Sequence, residues 1–161
     1  HKITIVPRGR ALGVTHWLPE REKYSVSKEE LLTQIMTSLG GRVAEELVFN
    51  KKTGGACSDF MNATNIARRM VCKLGMSDLG LVVYGQERGD YDYSSATANK
   101  IDEQVSAIMD LCYNDTVELL KAHRDKLDLL SYTLLEKETL YAADVYALLG
   151  IAPRVDHRFK V

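Results

Sequence analysis

The chain has 161 residues, of which 45% are hydrophobic and 27% are charged, so it is long enough to bury the core of one ordinary domain. Its formal net charge is -1, which excludes the electrostatic attraction on which nucleic-acid binding depends. No apolar run approaches the roughly 18 to 20 residues of a membrane span, and the N-terminus lacks a signal-peptide pattern. We therefore expect a soluble chain that has no nucleic-acid partner.

Three cysteines, Cys57, Cys72 and Cys112, are widely separated and form no C-x-x-C pair. An odd number at such spacing argues against a disulfide framework and against a zinc ribbon, and it fits a reducing compartment. Cys57 lies close to Asp59 and could be considered as a metal ligand. A single thiol in a small-residue loop is more often packed or partly exposed.

The first predicted elements are two short strands. Ile3 and Ile5, and then Leu12 and Val14, alternate with other residues, and residues 7–10 (P-R-G-R) have the composition of a turn. This pattern predicts a hairpin or two adjacent strands. We expect the charged residues 20–24 to be solvated.

A long helix is predicted from Ser27 to about Val48. Ser27 and Glu30 have the S-x-x-E form of a capping box. Gly40 and Gly41 each cost such a helix roughly 1 kcal/mol relative to alanine, a cost that is tolerated where backbones must approach closely. The apolar positions at helical spacing are Leu31, Leu32, Ile35, Met36, Leu39, Val43 and Leu47.

Two adjacent carboxylates near the end of this helix, Glu45 and Glu46, are candidates for chemistry. One interpretation is a surface acidic pair in which Arg42 reaches Glu46 at i, i+4. The other is that one of them orients a metal site as a carboxylate behind the ligands, which such sites commonly need.

The central stretch of the chain is residues 53–74, which opens with Gly54 and Gly55 and a Ser58-Asp59 step. The pattern that follows predicts an amphipathic helix with a carboxylate, Asp59, at its start. On spacing alone, Ser58 or Asp59 caps this helix, a contribution of about 1 kcal/mol. The apolar positions are Phe60, Ala63, Ile66, Ala67, Met70, Val71 and Leu74.

The remainder of the chain is predicted to be mostly helical. Residues 75–80 read as a loop, residues 81–84 could form a short strand, and residues 85–93 are expected to form a mobile loop. Apolar spacing predicts helices over residues 95–122, from there to Glu136, and over residues 142–149. His123 between the first two is expected to be an ordinary polar residue, and the tail 154–161 to be disordered.

Three blocks in this order resemble one family. They are I-V-P-R-G-R-A-L-G-V-T (residues 5–15), G-G-R-V-A-E-E-L-V-F (residues 40–49) and the run over residues 54–71. Together they are similar to the peptidase domain of the FtsH-type membrane-bound AAA+ ATP-dependent zinc metalloproteases. The likeness extends from about Lys2 to about Leu149, and it implies a mainly α fold with a small β element, a helical metallopeptidase domain over residues 1–149. Within it, residues 1–24 would be strands and loop, residues 27–84 the zinc-site helices and residues 95–149 a C-terminal helical part, followed by the tail 150–161.

The resemblance also implies a zinc site. In that family two histidines of an H-E-x-x-H helix and an aspartate at the head of a later helix hold the zinc ion, and Asp59 falls on that aspartate. The sequence contains no H-E-x-x-H, and none of its four histidines form a pair at i, i+4. We therefore read the chain as truncated at its N-terminus, without catalytic residues of its own and unable to hold zinc stably. Glu45 and Glu46 would be supporting carboxylates or alternative ligands.

Further expectations follow from the resemblance. ATP and Mg would belong to an ATPase module of the parent protein, since this chain has no G-x-x-x-x-G-K-[ST] loop. The partners would be unfolded polypeptide substrates and other copies in a hexamer. The parent would be anchored in a bacterial inner membrane facing the cytoplasm, or in an organelle inner membrane, through segments that this chain lacks.

A substrate-binding strand is a further hypothesis. Gly13, Val14, Thr15 and His16 have the alternation and polar side chains of an edge strand, which in the resembling family lies beside the zinc cleft. An extended peptide could pair with such an edge. An ordinary edge blunted by polar residues fits the same pattern. For the whole chain, the competing hypothesis is a pseudoprotease or a helical assembly and interaction domain.

Overall fold

The computed structural model describes residues 2–7, 9, 13–16, 25–85 and 93–153. Five α-helices and three short strands are found in these ranges, and they belong to two compact units. The helical unit is Ser25–Ala122, and the terminal unit combines His1–Tyr24 with His123–Val161. In chain order the elements are β1 (Lys2–Thr4), β2 (Val14–His16), α1 (Lys28–Phe49), α2 (Cys57–Cys72), α3 (Ser95–Ala122), α4 (Arg124–Lys137), β3 (Thr139–Tyr141) and α5 (Ala142–Leu149). The expected helical fold with a small β element is confirmed.

The start of α1 has the predicted capping box. The Ser27 hydroxyl accepts a hydrogen bond from the Glu30 backbone N–H at 3.2 Å, and the Glu30 carboxylate accepts one from the Ser27 N–H at 3.1 Å. Two backbone donors that would otherwise lack a partner are thereby satisfied. The helix ends at Phe49, and its C-cap residue Asn50 adopts the left-handed conformation with φ of 49°.

The core of the helical unit forms where α1, α2 and α3 pack together. One apolar stripe from each helix is buried, as the spacing predicted. Ala63 and Ala67 are the small residues of the buried stripe on α2. Burial also raises the pKa of the Cys112 thiol to about 11. The buried core residues are Leu31, Ile35, Leu39, Ala63, Ala67, Met70, Val71, Cys72, Ile101, Val105, Ile108 and Cys112.

The two glycines within α1 do not have the expected packing role. A Cβ atom added at Gly40 or Gly41 would meet no heavy atom within 4 Å. The interpretation that a close backbone approach requires them is therefore wrong for the described part of the chain. Both sites have room for alanine, which a helix prefers to glycine by about 1 kcal/mol.

In the terminal unit, a three-stranded sheet has the order β2-β1-β3. The pairing of β1 with β2 is antiparallel and brings Ile3 opposite Thr15, so the predicted hairpin is confirmed. The third strand was not predicted. It pairs antiparallel with β1 and brings Ile3 opposite Leu140, across more than 130 residues of sequence. Such a long-range pairing leaves no local pattern in the sequence.

Two local predictions need correction. Residues 81–84 form no strand, although Tyr84 donates its backbone N–H to the Cys72 carbonyl at 2.8 Å. The central helix ends at Cys72, so Leu74 lies beyond it, half-buried against the core. The predictions for residues 20–24 and 154–161 and for most of the loop 85–93 fall outside the described residues. None of the described helices combines the length and the apolar character that crossing a bilayer requires.

Candidate functional site

Asp59 lies in the first turn of α2, but it does not cap the helix. The helix begins at Cys57, its N-cap is Ala56, and no side chain closes the cap. The prediction that Ser58 or Asp59 is the capping residue is therefore wrong, because both lie inside the helix. The Asp59 carboxylate is exposed and has no hydrogen-bond or ion-pair partner among the described residues. A negative charge in the first turn of a helix interacts favourably with the helix dipole.

The turn before α2 explains why a side-chain cap is not needed there. Residues Gly54–Ala56 form one turn of 3-10 helix, which leads directly into α2. Thr53 is the N-cap of that turn, and its hydroxyl lies 3.5 Å from the Gly55 nitrogen. The 3-10 turn continues the run of helical backbone, so the capping residue Thr53 lies four residues before α2 begins at Cys57.

Glu45 and Glu46 are both engaged by neighbours within the helical unit. Glu46 accepts a hydrogen bond from the Tyr113 hydroxyl at 2.7 Å, and Lys52 lies 3.5 Å from the same carboxylate. The hydrogen bond to Glu46, with burial, raises the pKa of Tyr113 above its ordinary value. Glu45 lies 3.5 Å from the Thr53 backbone nitrogen. Both carboxylates thus contact the connection between α1 and α2.

Arg42 links these carboxylates, and its burial was not foreseen. Its Nε lies 3.8 Å from Glu46 in the predicted i, i+4 ion pair, and its Nη1 lies 3.6 Å from Glu45. Only 10% of its side chain is exposed. The sequence indicated a paired arginine only through the two carboxylates three and four residues later. The same spacing is equally typical of a solvated helix surface.

The described residues do not by themselves form a complete metal site. No group of three His, Cys, Asp or Glu side chains in these ranges is close enough to hold a metal ion. Aspartate oxygen is one of the ligands that zinc accepts, so Asp59, exposed and without a partner in the described ranges, fits the role of one ligand. Cys57 and His123 are exposed, and Cys57 is a free thiol. His1, His157 and the side chain of His16 lie outside what the structure describes.

The direction of the peptide groups in the sheet follows from one hydrogen bond. The Ile5 N–H donates to the Glu138 carbonyl at 2.9 Å, two residues beyond the pairing of Ile3 with Leu140. Facing residues in an antiparallel pair alternate between hydrogen-bonded and non-hydrogen-bonded positions. Ile3 therefore directs its peptide groups toward β3, and Thr4 directs its own toward β2.

The same alternation shows what β2 offers on its other side. Val14, the partner of Thr4, directs its N–H and C=O inward to β1, so Thr15 directs its own away from the sheet. Within the described residues no strand pairs with that edge. Gly13 precedes the strand, where a Cβ atom would lie 3.0 Å from the Thr4 carbonyl oxygen, so the hairpin needs a glycine there.

The chain matches one known protein family over most of its length. The model of peptidase family M41 matches residues 1–148. The chain belongs to peptidase family M41. The match includes all three sequence blocks that carry the resemblance to FtsH-type peptidases, and that expectation is confirmed.

Several curated proteins that the chain resembles are named ATP-dependent zinc metalloproteases. The ATP-dependent zinc metalloprotease FtsH of Akkermansia muciniphila is 44% identical over 161 aligned residues, covering 92% of this chain and 20% of that protein. Its counterpart in Bacillus subtilis is 44% identical over 172, covering 99% of this chain and 27% of that protein. The Thermotoga maritima protein is 44% identical over 162, with coverage of 93% and 27%. The chain thus spans between 20% and 27% of the length of these relatives.

Proposed function

We propose that this M41 chain is the part of an ATP-dependent zinc metalloendopeptidase that supplies Asp59 as a zinc ligand. The observation that carries this proposal is an exposed carboxylate in the first turn of α2 that has no partner among the described residues, within a chain of this family. The relatives named above are zinc metalloproteases by name. The substrates would be unfolded or membrane proteins.

The residues of this chain would contribute position and charge. Bound zinc would polarise the scissile carbonyl and lower the pKa of a bound water. Asp59 would bind as an anionic oxygen ligand at the positive end of a helix dipole. Glu45 and Glu46 would act behind it by holding the connection that leads into α2. Their existing partners, Thr53 and Tyr113 among them, make this supporting role a better fit than direct ligation.

One carboxylate is not enough for a zinc enzyme, which uses three protein ligands and an open position. We therefore expect this chain in isolation to bind far less than one equivalent of zinc and to be inactive. Elemental analysis of the purified chain tests this. Stoichiometric zinc would mean that other residues complete a site, and His1 and His16 would be the first to examine.

The outward edge of β2 would bind substrate. An extended polypeptide could pair with the free peptide groups of Thr15, which would give affinity without demanding a particular sequence. Such recognition suits an enzyme that receives many different unfolded chains. Gly13, Val14 and His16 would shape this edge, Gly13 by allowing the backbones of the hairpin to approach closely.

The larger assembly is proposed on the same basis. The relatives are ATP-dependent by name, so ATP and Mg would act in an ATPase module outside this sequence. The assembly would be a homohexamer attached to a membrane through other segments of the full-length protein.

The deciding experiment is Asp59→Asn in the full-length protein. We expect zinc affinity, measured by chelator competition, to fall together with cleavage of an unfolded protein such as casein. Asp110→Asn is the matched control, because Asp110 is an exposed aspartate on α3 without a partner among the described residues. Unchanged zinc affinity and cleavage in Asp59→Asn would move the ligand role to Glu45 or Glu46.

A further inference from the structure

Arg42 is buried and contacts two residues outside its own helix, which a solvent-exposed arginine would not do. Its Nη2 donates a hydrogen bond to the Thr53 carbonyl at 2.7 Å, and its guanidinium carbon lies 5.1 Å from the centre of the Phe60 ring. Its Nη1 is buried and has no hydrogen-bond partner among the described residues, with the nearest acidic oxygen, on Glu45, 3.6 Å away. Burying a charged guanidinium costs free energy unless it is paired and hydrogen-bonded. The contacts that Arg42 makes to neighbouring residues offset this cost.

The two residues that Arg42 contacts outside α1 lie on either side of the proposed ligand. Thr53 opens the 3-10 turn Gly54–Ala56, and Phe60 directly follows Asp59 in α2. One planar group therefore contacts both ends of the segment 53–60. The Asp59 carboxylate has no partner of its own in the described residues, so the contacts of Arg42 with Thr53 and Phe60 are side-chain contacts that bear on where this segment presents it.

We propose that Arg42 is the positioning residue that fixes segment 53–60 and thereby sets where Asp59 is presented. Only the importance of this positioning for zinc binding rests on the proposed function of Asp59. The hold on the segment is a property of the described residues alone.

The chemistry of arginine is suited to this task. A guanidinium is planar and can stack on an aromatic face while its edge donates hydrogen bonds, whereas a lysine ammonium offers one point charge. The carboxylates behind it are fixed in turn, since Glu46 is also held by Tyr113 and Lys52. Arg42 is thus oriented from one side and contacts the segment on the other.

The test uses the full-length protein stripped of metal, and measures hydrogen exchange of the backbone amides in residues 53–60. We expect exchange there to become about tenfold faster or more in Arg42→Met, because a hydrogen bond from a charged group is lost. Exchange over the later part of α2, residues 63–72, should stay unchanged. Arg68→Met is the control, since Arg68 is an exposed arginine on α2 that pairs with Asp102 at 3.1 Å.

Two conservative variants keep the test decisive if Arg42→Met fails to fold. Arg42→Lys retains the charge and one donor but not the plane, and we expect it to restore only part of the protection. Phe60→Leu retains the apolar volume but not the ring, and we expect a smaller acceleration over the same segment. Wild-type exchange in both variants would overturn the proposal. It would show that neither the planar guanidinium of Arg42 nor its stacking on Phe60 holds the segment.

A second readout connects the segment to the metal. Zinc affinity by chelator competition should weaken roughly 10- to 100-fold in Arg42→Met, as is typical when a partner behind a ligand is removed. A lowered melting temperature with wild-type exchange in 53–60 and wild-type zinc affinity would reduce Arg42 to a general stabilising residue. If Asp59→Asn leaves zinc binding intact while Arg42→Met loosens the segment, the ligand assignment fails and the positioning of the segment by Arg42 stands.

Discussion

The two units of the molecule are stabilised in different ways. In the helical unit, α1, α2 and α3 each bury one apolar stripe, and Ile35, Met70 and Val71 are fully shielded from water. In the described part of the terminal unit only Thr4, Leu134 and Leu140 are buried, and Thr4 and Leu134 keep 7% and 8% of their surface exposed. Leu135 and Tyr132 on α4 are 70% and 69% exposed. One unit therefore depends mainly on apolar burial, and the other depends more on pairing of its backbone.

Thr4 is the centre of that second arrangement. Its hydroxyl lies 2.8 Å from the Thr139 hydroxyl and 3.2 Å from the Glu138 carbonyl, and it accepts a hydrogen bond from the Val6 N–H at 3.2 Å. Few buried apolar contacts and exposed backbone hydrogen bonds are marks of low local stability. The proposed ligand therefore lies in the unit that apolar burial stabilises, and the proposed substrate strand lies in the more weakly stabilised unit.

The largest effect is expected from Ile35→Ala in the helical unit. Truncating a fully buried isoleucine removes apolar contacts and leaves a cavity, at a cost of about 2 to 5 kcal/mol in the free energy of unfolding. Chemical denaturation followed by circular dichroism measures this cost. Leu135→Ala is the control, because this leucine is 70% exposed and its truncation should change stability by about 0.5 kcal/mol or less. Equal costs at both positions would contradict the picture of an apolar unit.

Thr4→Val should break the polar centre of the terminal unit while it preserves the shape of the side chain. Loss of the hydroxyl should cost about 1 to 2 kcal/mol locally, because Val6 N–H and Thr139 lose a partner. Hydrogen exchange of the β3 amides measures the cost, with Thr15→Val as an exposed threonine of the same sheet for comparison. Faster exchange in α1 to the same degree would show that the two units do not open separately.

Thr15→Pro tests the outward edge of β2 as the proposed substrate strand, in a protein that carries the proposed peptidase activity. Proline removes the one outward donor of the strand, so KM for an unfolded substrate should rise about tenfold while kcat and zinc content stay the same. Thr15→Ala, which keeps the N–H, should behave as wild type. Val14 is unsuitable for this substitution because its N–H points inward to β1. Unchanged KM in a folded Thr15→Pro protein would remove β2 as the substrate strand.

Gly41→Ala should have the smallest effect, and it should be stabilising. The added methyl group meets no heavy atom within 4 Å, and alanine is favoured over glycine in a helix by about 1 kcal/mol. We expect a gain of about 0.5 to 1 kcal/mol in the free energy of unfolding. A loss in the full-length protein would reveal a close neighbour of α1 that lies outside the described residues.

The candidate site could be predicted only in part. Asp59 was identified from the resemblance of its surroundings to a family, and its place at the head of α2 agrees with that. That Asp59 does not cap the helix was not predictable, because a Ser-Asp step before an apolar pattern usually indicates an N-cap. The burial of Arg42 depends on Thr53 and Phe60, which are distant in sequence, and a pair of following glutamates gives no indication of it.

The sequence by itself determined the helices, the hairpin and the family. Periodic apolar residues, a capping box at Ser27 and terminating residues such as Gly150 act within a few positions, so their effect can be read locally. Tertiary structure alone decided that β3 joins β1, that residues 81–84 remain without a strand, and that Thr15 is the residue of β2 whose peptide groups face outward. These three features depend on contacts between segments far apart in the chain. The partners of each segment in the folded protein decide its hydrogen bonds and its burial.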